Sequence, residues 1–156
     1  GLSDLTGFEQ DGREFAVVGL IESDAAAFVD ITDPANPVEV GRISGTPSTW
    51  RDMKYWNRHV YIGTEADDGI KVISVDDPDN PVLVDSIIDF TSSHNIHIDA
   101  EGYLYVVGAM DHDIWIYDLS IPALPELIGT WNGEYLHDIE VYNNKIYGAA
   151  IYSGYF

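Results

Sequence analysis

Proline pairs recur along this chain at a constant step of 44 residues. The first proline of each pair is residue 34, 78 or 122, and the second follows three residues later. The segments around the pairs are alike: FVDITDPANPVEVG at 28–41, VISVDDPDNPVLVD at 72–85 and IYDLSIPALPELIG at 116–129. A period of about 40 to 50 residues is typical of the blades of a β-propeller. The repeat therefore predicts a radial arrangement of similar sheets.

Each repeat contains four short stretches rich in β-branched and aromatic residues, separated by Gly, Asp, Asn and Pro. This pattern predicts a four-stranded antiparallel meander, and no stretch has a helical period. We expect an all-β fold, a β-propeller of four-stranded antiparallel blades, with about three and a half blades in one domain over 1–156. The predicted boundaries are about 2–43 for blade 1, 50–87 for blade 2, 93–131 for blade 3 and 136–151 for half of blade 4.

Composition excludes several classes of function. The chain has 7 basic and 27 acidic residues, for a formal net charge of −20, which repels nucleic acid and anionic lipid. No apolar run reaches the 18 or more residues of a membrane span, so we expect no membrane insertion. Cysteine is absent, which excludes disulfides and thiolate nucleophiles. The acidic surplus favours a protein that works outside the cell or at its surface.

Several blocks of the sequence resemble a known family. They are GREFAVVGL at 12–20, FVDITDPANPVEVGRI at 28–43, STWRDMKYWNRHVYIGTEADDGIKV at 48–72 and SSHNIHID at 92–99. Together they resemble the N-terminal part of the LVIVD-repeat propellers of the choice-of-anchor B type, over nearly the whole chain. The resemblance implies a secreted or surface-exposed binding or scaffold propeller with no established reaction. It also implies further blades and an anchoring segment in a typical member.

A group of polar residues recurs at the start of the first strand of each repeat. Its members are Asp4, Arg51, Asp52, His94, Asn95, His137 and Asp138, together with His97, which shares the strand face of Asn95. The first strand of a propeller blade is innermost, so these side chains are predicted to ring one mouth of the central channel. Converging imidazoles and carboxylates can bind a divalent metal or an anion. Alternatively, the group satisfies backbone N–H groups and bridges neighbouring blades, and its repetition in every blade favours that structural role.

Acidic loops provide a second candidate site. Clustered carboxylates in loops that contain glycine or asparagine can supply the oxygen ligands of Ca²⁺, the cofactor that these loops suggest. The residues concerned are Asp67, Asp68, Asp111 and Asp113. No loop matches an established calcium-binding motif, so solvated turns are the alternative.

The edge of the last predicted strand, at 145–151, suggests a partner site. An unpaired strand edge is a template that another chain can extend by β-augmentation. The predicted edge residues are Tyr147, Ile151, Tyr152, Tyr155 and Phe156. A closed propeller needs about four to eight blades, so we expect further chain, a protein partner or homo-oligomerisation to complete the open blade.

These observations lead to one principal hypothesis and two alternatives. The chain has no Cys and no GxSxG motif, so nucleophilic catalysis has almost no support. We predict a non-enzymatic, secreted or cell-surface propeller that acts as an interaction or assembly module. One alternative is a metal-dependent, lactonase-like hydrolase with its metal at the channel mouth. The other is a carbohydrate-binding module that uses exposed tryptophan and tyrosine side chains.

Overall fold

A computed structural model describes residues 1–155, which form four antiparallel sheets. Blade 1 contains β1 (Leu2–Gln10), β2 (Arg13–Leu20), β3 (Asp24–Asp30) and β4 (Val38–Ser44). Blade 2 contains β5 (Arg51–Trp56), β6 (His59–Thr64), β7 (Ile70–Ser74) and β8 (Val82–Ile87). Blade 3 contains β9 (Asn95–Ile98), β10 (Tyr103–Val107), β11 (Ile114–Asp118) and β12 (Glu126–Trp131). Blade 4 contains β13 (Asp138–Tyr142), β14 (Lys145–Ala150) and β15 (Gly154–Tyr155).

The blades are meanders, in which each strand pairs with the next along the chain. The predicted all-β propeller fold is confirmed. Blade 4 has one strand more than the two that the sequence predicted, because the turn at 151–153 brings β15 back against Ala149 and Ala150. Within residues 1–155 there is no helix that could cross a membrane.

The first proline of each pair initiates the same β-turn in three blades. The N–H of Asn36 donates to the carbonyl of Asp33 at 2.9 Å, and Asn80 and Asp77 form the same bond at 3.0 Å. In blade 3, Leu124 donates to Ile121 at 2.8 Å. Proline is favoured at the second position of such a turn because its φ is already near −65°. The prolines therefore mark the connection from the third to the fourth strand.

The innermost strands β1, β5, β9 and β13 are neighbours in that order around the axis. Apolar side chains fill the space between successive blades in three clusters. Blades 1 and 2 meet through residues such as Phe28 and Ile62, and blades 2 and 3 meet through Val72 and Leu104. All four of these side chains are buried. Hydrophobic burial at about 25 cal/mol per Å² makes these interfaces the main source of stability.

Arg13 joins blades 1 and 2 at the surface. Its guanidinium donates to Asp30 at 2.6 Å and to Asp79 at 2.7 and 2.8 Å. Hydrogen bonds from Thr32 and then from Arg13 lower the pKa of Asp30 to about 2, and Arg13 lowers the pKa of Asp79. Because both carboxylates have lowered pKa values in the folded protein, their stabilisation is complete above the unfolded pKa and is lost as the pH falls.

We expect an Arg13→Gln variant to be less stable than the wild type at neutral pH, and the difference to shrink in acid. The difference in urea midpoint should be largest above about pH 5 and should narrow between about pH 4 and pH 2, the interval in which Asp protonates. Urea unfolding monitored by tryptophan fluorescence at several pH values measures it. A difference that stays constant across this range would contradict the assignment of the bridge.

Candidate functional site

Asp52 lies buried at the junction of blades 2 and 3. Its Oδ1 accepts a hydrogen bond from the N–H of Met53 at 2.7 Å and forms an ion pair with Lys54. Its Oδ2 accepts from the N–H of Ile96 in blade 3 at 2.8 Å. Burial raises the pKa of this carboxyl, while Lys54 and the Ile96 hydrogen bond act in the opposite direction. The side chain thus bridges two blades, which is the structural role considered for the polar group.

The equivalent residues of blades 3 and 4 make a local version of the same bond. Oδ1 of Asn95 accepts from the N–H of Ile96 at 3.0 Å, and Oδ1 of Asp138 accepts from the N–H of Ile139 at 2.8 Å. In each case the acceptor precedes the donor by one residue. The recurring Asp or Asn therefore satisfies a backbone donor at the start of an innermost strand.

Arg51 is buried and bonded to blade 1. Its guanidinium donates to the carbonyl oxygens of Leu20 at 2.8 Å and Thr46 at 2.5 Å. Its backbone N–H donates to Oγ of Ser3 at 3.1 Å. Burial lowers the pKa of Arg51, and the negative charge of Asp68 partly offsets that effect. Because its donors are engaged by carbonyls, this side chain holds blades 1 and 2 together.

His94 and His137 occupy in blades 3 and 4 the position that Arg51 occupies in blade 2, and they contact each other. Their Nε2 atoms are 2.8 Å apart, and the ring centroids are 4.3 Å apart. Nδ1 of His94 lies 2.5 Å from Oε1 of Glu65, a residue of the loop between β6 and β7. The sequence indicated a common ring for the two histidines, but it gave no sign that Glu65 would join them.

Five of the predicted ring residues share a channel pocket of about 480 Å³. They are Asp4, Asp52, Asn95, His97 and Asp138. Sequence reasoning missed Lys54 and Glu140, which also line it. Lys54 lies two residues beyond Asp52, and Glu140 lies two residues beyond Asp138. His97 has the same offset from Asn95. Because residues two apart lie on one face of a strand, the sequence could have predicted both. Tyr147, predicted at the partner edge, lies in this pocket too.

The acidic loop residues lie in two different blades and have separate surroundings. Asp68 accepts from the N–H of Thr46 at 2.9 Å and from Lys71 at 3.0 Å. Burial alone would raise the pKa of Asp68, but these two donors bring it below its usual value. Asp113 accepts from the N–H of Gly133 at 2.8 Å, whereas Asp67 and Asp111 are exposed. Over residues 1–155, no three or more His, Cys, Asp or Glu side chains form a metal-binding group, so the calcium hypothesis gains no support.

An apolar cleft of about 460 Å³ lies between the outer strands of blade 3 and blade 4. Its lining includes Ile114, Ile116, Trp131, Leu136 and Ile146. In the equivalent positions of blades 1 and 2, Ile43 and Ile87 are 7% and 6% exposed, whereas Trp131 is 41% exposed. Residue 131 follows residues 43 and 87 at the repeat step of 44. Among residues 1–155, the cleft is therefore a blade interface that remains open.

Third strands fill the corresponding space between the other blades. Ile73 and Val75 occupy it between blades 1 and 2, and Tyr117 and Leu119 occupy it between blades 2 and 3. The third strand of blade 4, β15, has only two residues and pairs with the end of β14. It leaves most of β14 without an outer neighbour among the described residues.

The predicted edge residues beyond β14 are exposed. Ile151, Tyr152 and Tyr155 have 57%, 92% and 88% of their surface exposed. Phe156 lies outside the described residues. Of the four tryptophans, Trp115 is buried and Trp56 is half-buried, whereas Trp50 is 58% exposed at a second channel pocket that includes Arg51 and His94.

Comparison with known proteins supports the fold. No protein-family model matches the chain, and no curated protein matches it either. A solved structure that matches is described as a novel alpha-L-arabinofuranosidase (CtGH43) from Clostridium thermocellum ATCC 27405. It shares 15% sequence identity at a TM-score of 0.53, over 97% of this chain and 64% of that one. The chain thus spans less than two thirds of the enzyme it resembles, and the likeness concerns the β-propeller fold alone.

Proposed function

We propose that the chain is a non-enzymatic interaction or assembly propeller of the LVIVD-repeat, choice-of-anchor B type, acting outside the cell or at its surface. The observation that carries the proposal is the open apolar cleft beside β14. The proposed occupant is a β-strand of a partner protein with alternating apolar side chains. Such a strand would pair with the edge of β14 and fill the cleft at the same time.

The internal repeat defines the chemistry of that strand. At the other two interfaces the occupant presents Ile73 with Val75, or Tyr117 with Leu119, and an acidic residue lies between or beside them. Side chains two residues apart lie on one face of a strand. A partner segment of the form apolar, any residue, apolar therefore matches the cleft. Covering Trp131 to the extent of its equivalents would contribute about 1.5 to 3 kcal/mol.

We expect a peptide with the sequence of residues 70–76, IKVISVD, to bind the cleft. Its Ile73 and Val75 positions supply the two apolar side chains, and the edge of β14 supplies the backbone partner. The measurement is an NMR titration of the ¹⁵N-labelled chain, in which the indole signal of Trp131 should shift. A control peptide with serine at both apolar positions should produce no shift.

Matched tryptophan variants locate the binding. Trp131→Ala should weaken peptide binding at least about tenfold, because aromatic side chains in central pockets dominate such interfaces. Trp50→Ala removes a tryptophan that is also exposed but lies at the channel mouth, and it should leave the affinity unchanged. Equal effects of the two variants would contradict the proposed site. Self-association abolished by Trp131→Ala would identify a second copy of the chain as the donor.

Carbohydrate binding in the channel pocket is a second candidate function. The pocket combines the carboxylates of Asp4, Asp138 and Glu140 with the ring of Tyr147. Carboxylates suit sugar hydroxyls, and aromatic rings suit the apolar faces of sugars. The similar arabinofuranosidase provides a related fold in a carbohydrate-active enzyme. NMR titration with arabinose-containing oligosaccharides discriminates between the two candidates, since signals of Tyr147 rather than Trp131 would respond.

A further inference from the structure

His94 and His137 come together from adjacent blades at the channel mouth. They precede β9 and β13, and their Nε2 atoms point at each other across 2.8 Å. The side chain of His94 is 19% exposed, and His137 is an exposed residue. Two imidazole nitrogens that meet at a solvent-accessible opening are the donor set preferred by zinc, copper and nickel ions.

The contact with Glu65 fixes the tautomer of His94. An ionised carboxylate only accepts hydrogen bonds, so Nδ1 of His94 carries the proton in this contact. The neutral ring then has its lone pair on Nε2, which accepts the Nε2–H of His137 at 2.8 Å. For both Nε2 atoms to bind a metal ion, the proton of His137 must move from Nε2 to Nδ1 through solvent, and the ring stays neutral. Histidines that bind a metal through one ring nitrogen usually donate the N–H of the other nitrogen to a carboxylate or carbonyl oxygen. A carboxylate in this position orients the ring and increases its basicity.

The distance between the rings is close to that of a metal-bound pair. Zinc–nitrogen bonds of about 2.0 to 2.1 Å in tetrahedral geometry place two ligand nitrogens about 3.3 Å apart. The two Nε2 atoms would therefore have to separate by about half an ångström, which small side-chain rotations at an exposed position allow. His137 directly precedes β13 at the channel mouth, and its ring lies against that of His94.

We propose that Nε2 of His94 and Nε2 of His137 bind one divalent transition-metal ion, with Glu65 as the positioning residue. Two protein ligands leave coordination positions that water fills, so the site is open rather than closed. Imidazole nitrogens and the absence of thiolates favour Cu²⁺ and Zn²⁺ over Ca²⁺, which requires oxygen ligands. This site is independent of the strand-binding cleft, from which it differs in residues and in ligand.

The test is a zinc chloride titration of the purified chain, followed by calorimetry and by NMR of the histidine ring nitrogens. We expect one ion per chain, with the Nε2 signals of His94 and His137 shifting together. His94→Ala and His137→Ala should each lower the affinity at least about tenfold. His112→Ala changes a histidine in the loop between β10 and β11, whose ring contacts Asn132, and should leave the affinity unchanged.

Glu65 needs a separate measurement because it acts through His94. Glu65→Ala should weaken zinc binding about 10- to 100-fold, and Glu65→Gln, which retains an oxygen acceptor, should restore part of that loss. The tautomer readout is the ring-nitrogen spectrum of His94 before zinc is added. Absence of binding at millimolar zinc in the folded chain, or equal binding after removal of both histidines, would overturn the proposal.

Discussion

A Gly69→Ala variant is expected to lose at least about 3 kcal/mol of unfolding free energy. Gly69 has φ of +58°, where a side chain is strained. A Cβ at this position would also collide with the carbonyl oxygen of Ile87 in the neighbouring strand. Gly69 cannot shift easily to relieve the collision, because its N–H donates to the carbonyl oxygen of Thr91 at 2.9 Å.

Two other glycines distinguish the effect of backbone strain at positive φ from the effect of a collision of the added Cβ. Gly12 has φ of +77° in the turn between β1 and β2, and a Cβ there meets nothing within 4 Å, so Gly12→Ala should cost about 1 to 2 kcal/mol from backbone strain alone. Gly129 in β12 has neither a positive φ nor a neighbour within 4 Å, and its alanine variant should be neutral or slightly stabilising. Urea unfolding of the three variants measures the order, and equal losses at Gly12 and Gly69 would contradict the collision.

An Asp52→Ala variant is expected to lose about 2 to 4 kcal/mol. The substitution leaves the N–H of Met53 without its acceptor, separates Lys54 from its carboxylate and removes the bond to blade 3. Buried donors that lose their partners account for the greater part of such losses. Chemical denaturation provides the value, and a loss of cooperativity between blades 2 and 3 is expected as well.

Asp138→Ala is the matched control for Asp52. Asp138 occupies the equivalent position in blade 4, but it is exposed, and its Oδ1 accepts a local hydrogen bond from the N–H of Ile139. Its loss should cost less than about 1 kcal/mol. Equal destabilisation of the two variants would contradict the assignment of the larger loss to the bridge from Asp52 to blade 3.

Local sequence signals were sufficient to predict the strands and blades. The prolines predicted the connections before β4, β8 and β12, since the conformational restriction of proline acts over its immediate neighbours. The hairpin residues Asn143 and Asn144 indicated a turn, and both have positive φ in the structure. The strand β15 was not predicted, because two residues are too few to show an alternating apolar pattern. Its position also depends on the turn that precedes it.

The candidate sites required information that the sequence does not contain. The repeat predicted that His94 and His137 would be near one another, but the distance between their rings depends on how adjacent blades pack. Glu65 was missed because the loop between β6 and β7 reaches toward the next blade. The open cleft was missed for a different reason: Trp131 has two buried equivalents in the repeat, and only packing distinguishes it from them.

Blade 4 rests on blade 3, through β13 and β9 and through the cluster around Leu136 and Ile139. This interface with blade 3 therefore contributes to the local opening free energy of blade 4, as in proteins whose repeats contact their neighbours in series. A ligand that binds only the closed form of this blade would raise that free energy by RT ln(1 + L/Kd), which grows with the logarithm of the ligand concentration L. Strand capture at the cleft would thus stabilise blade 4 against local opening, and the partner's affinity would determine how long this blade stays folded.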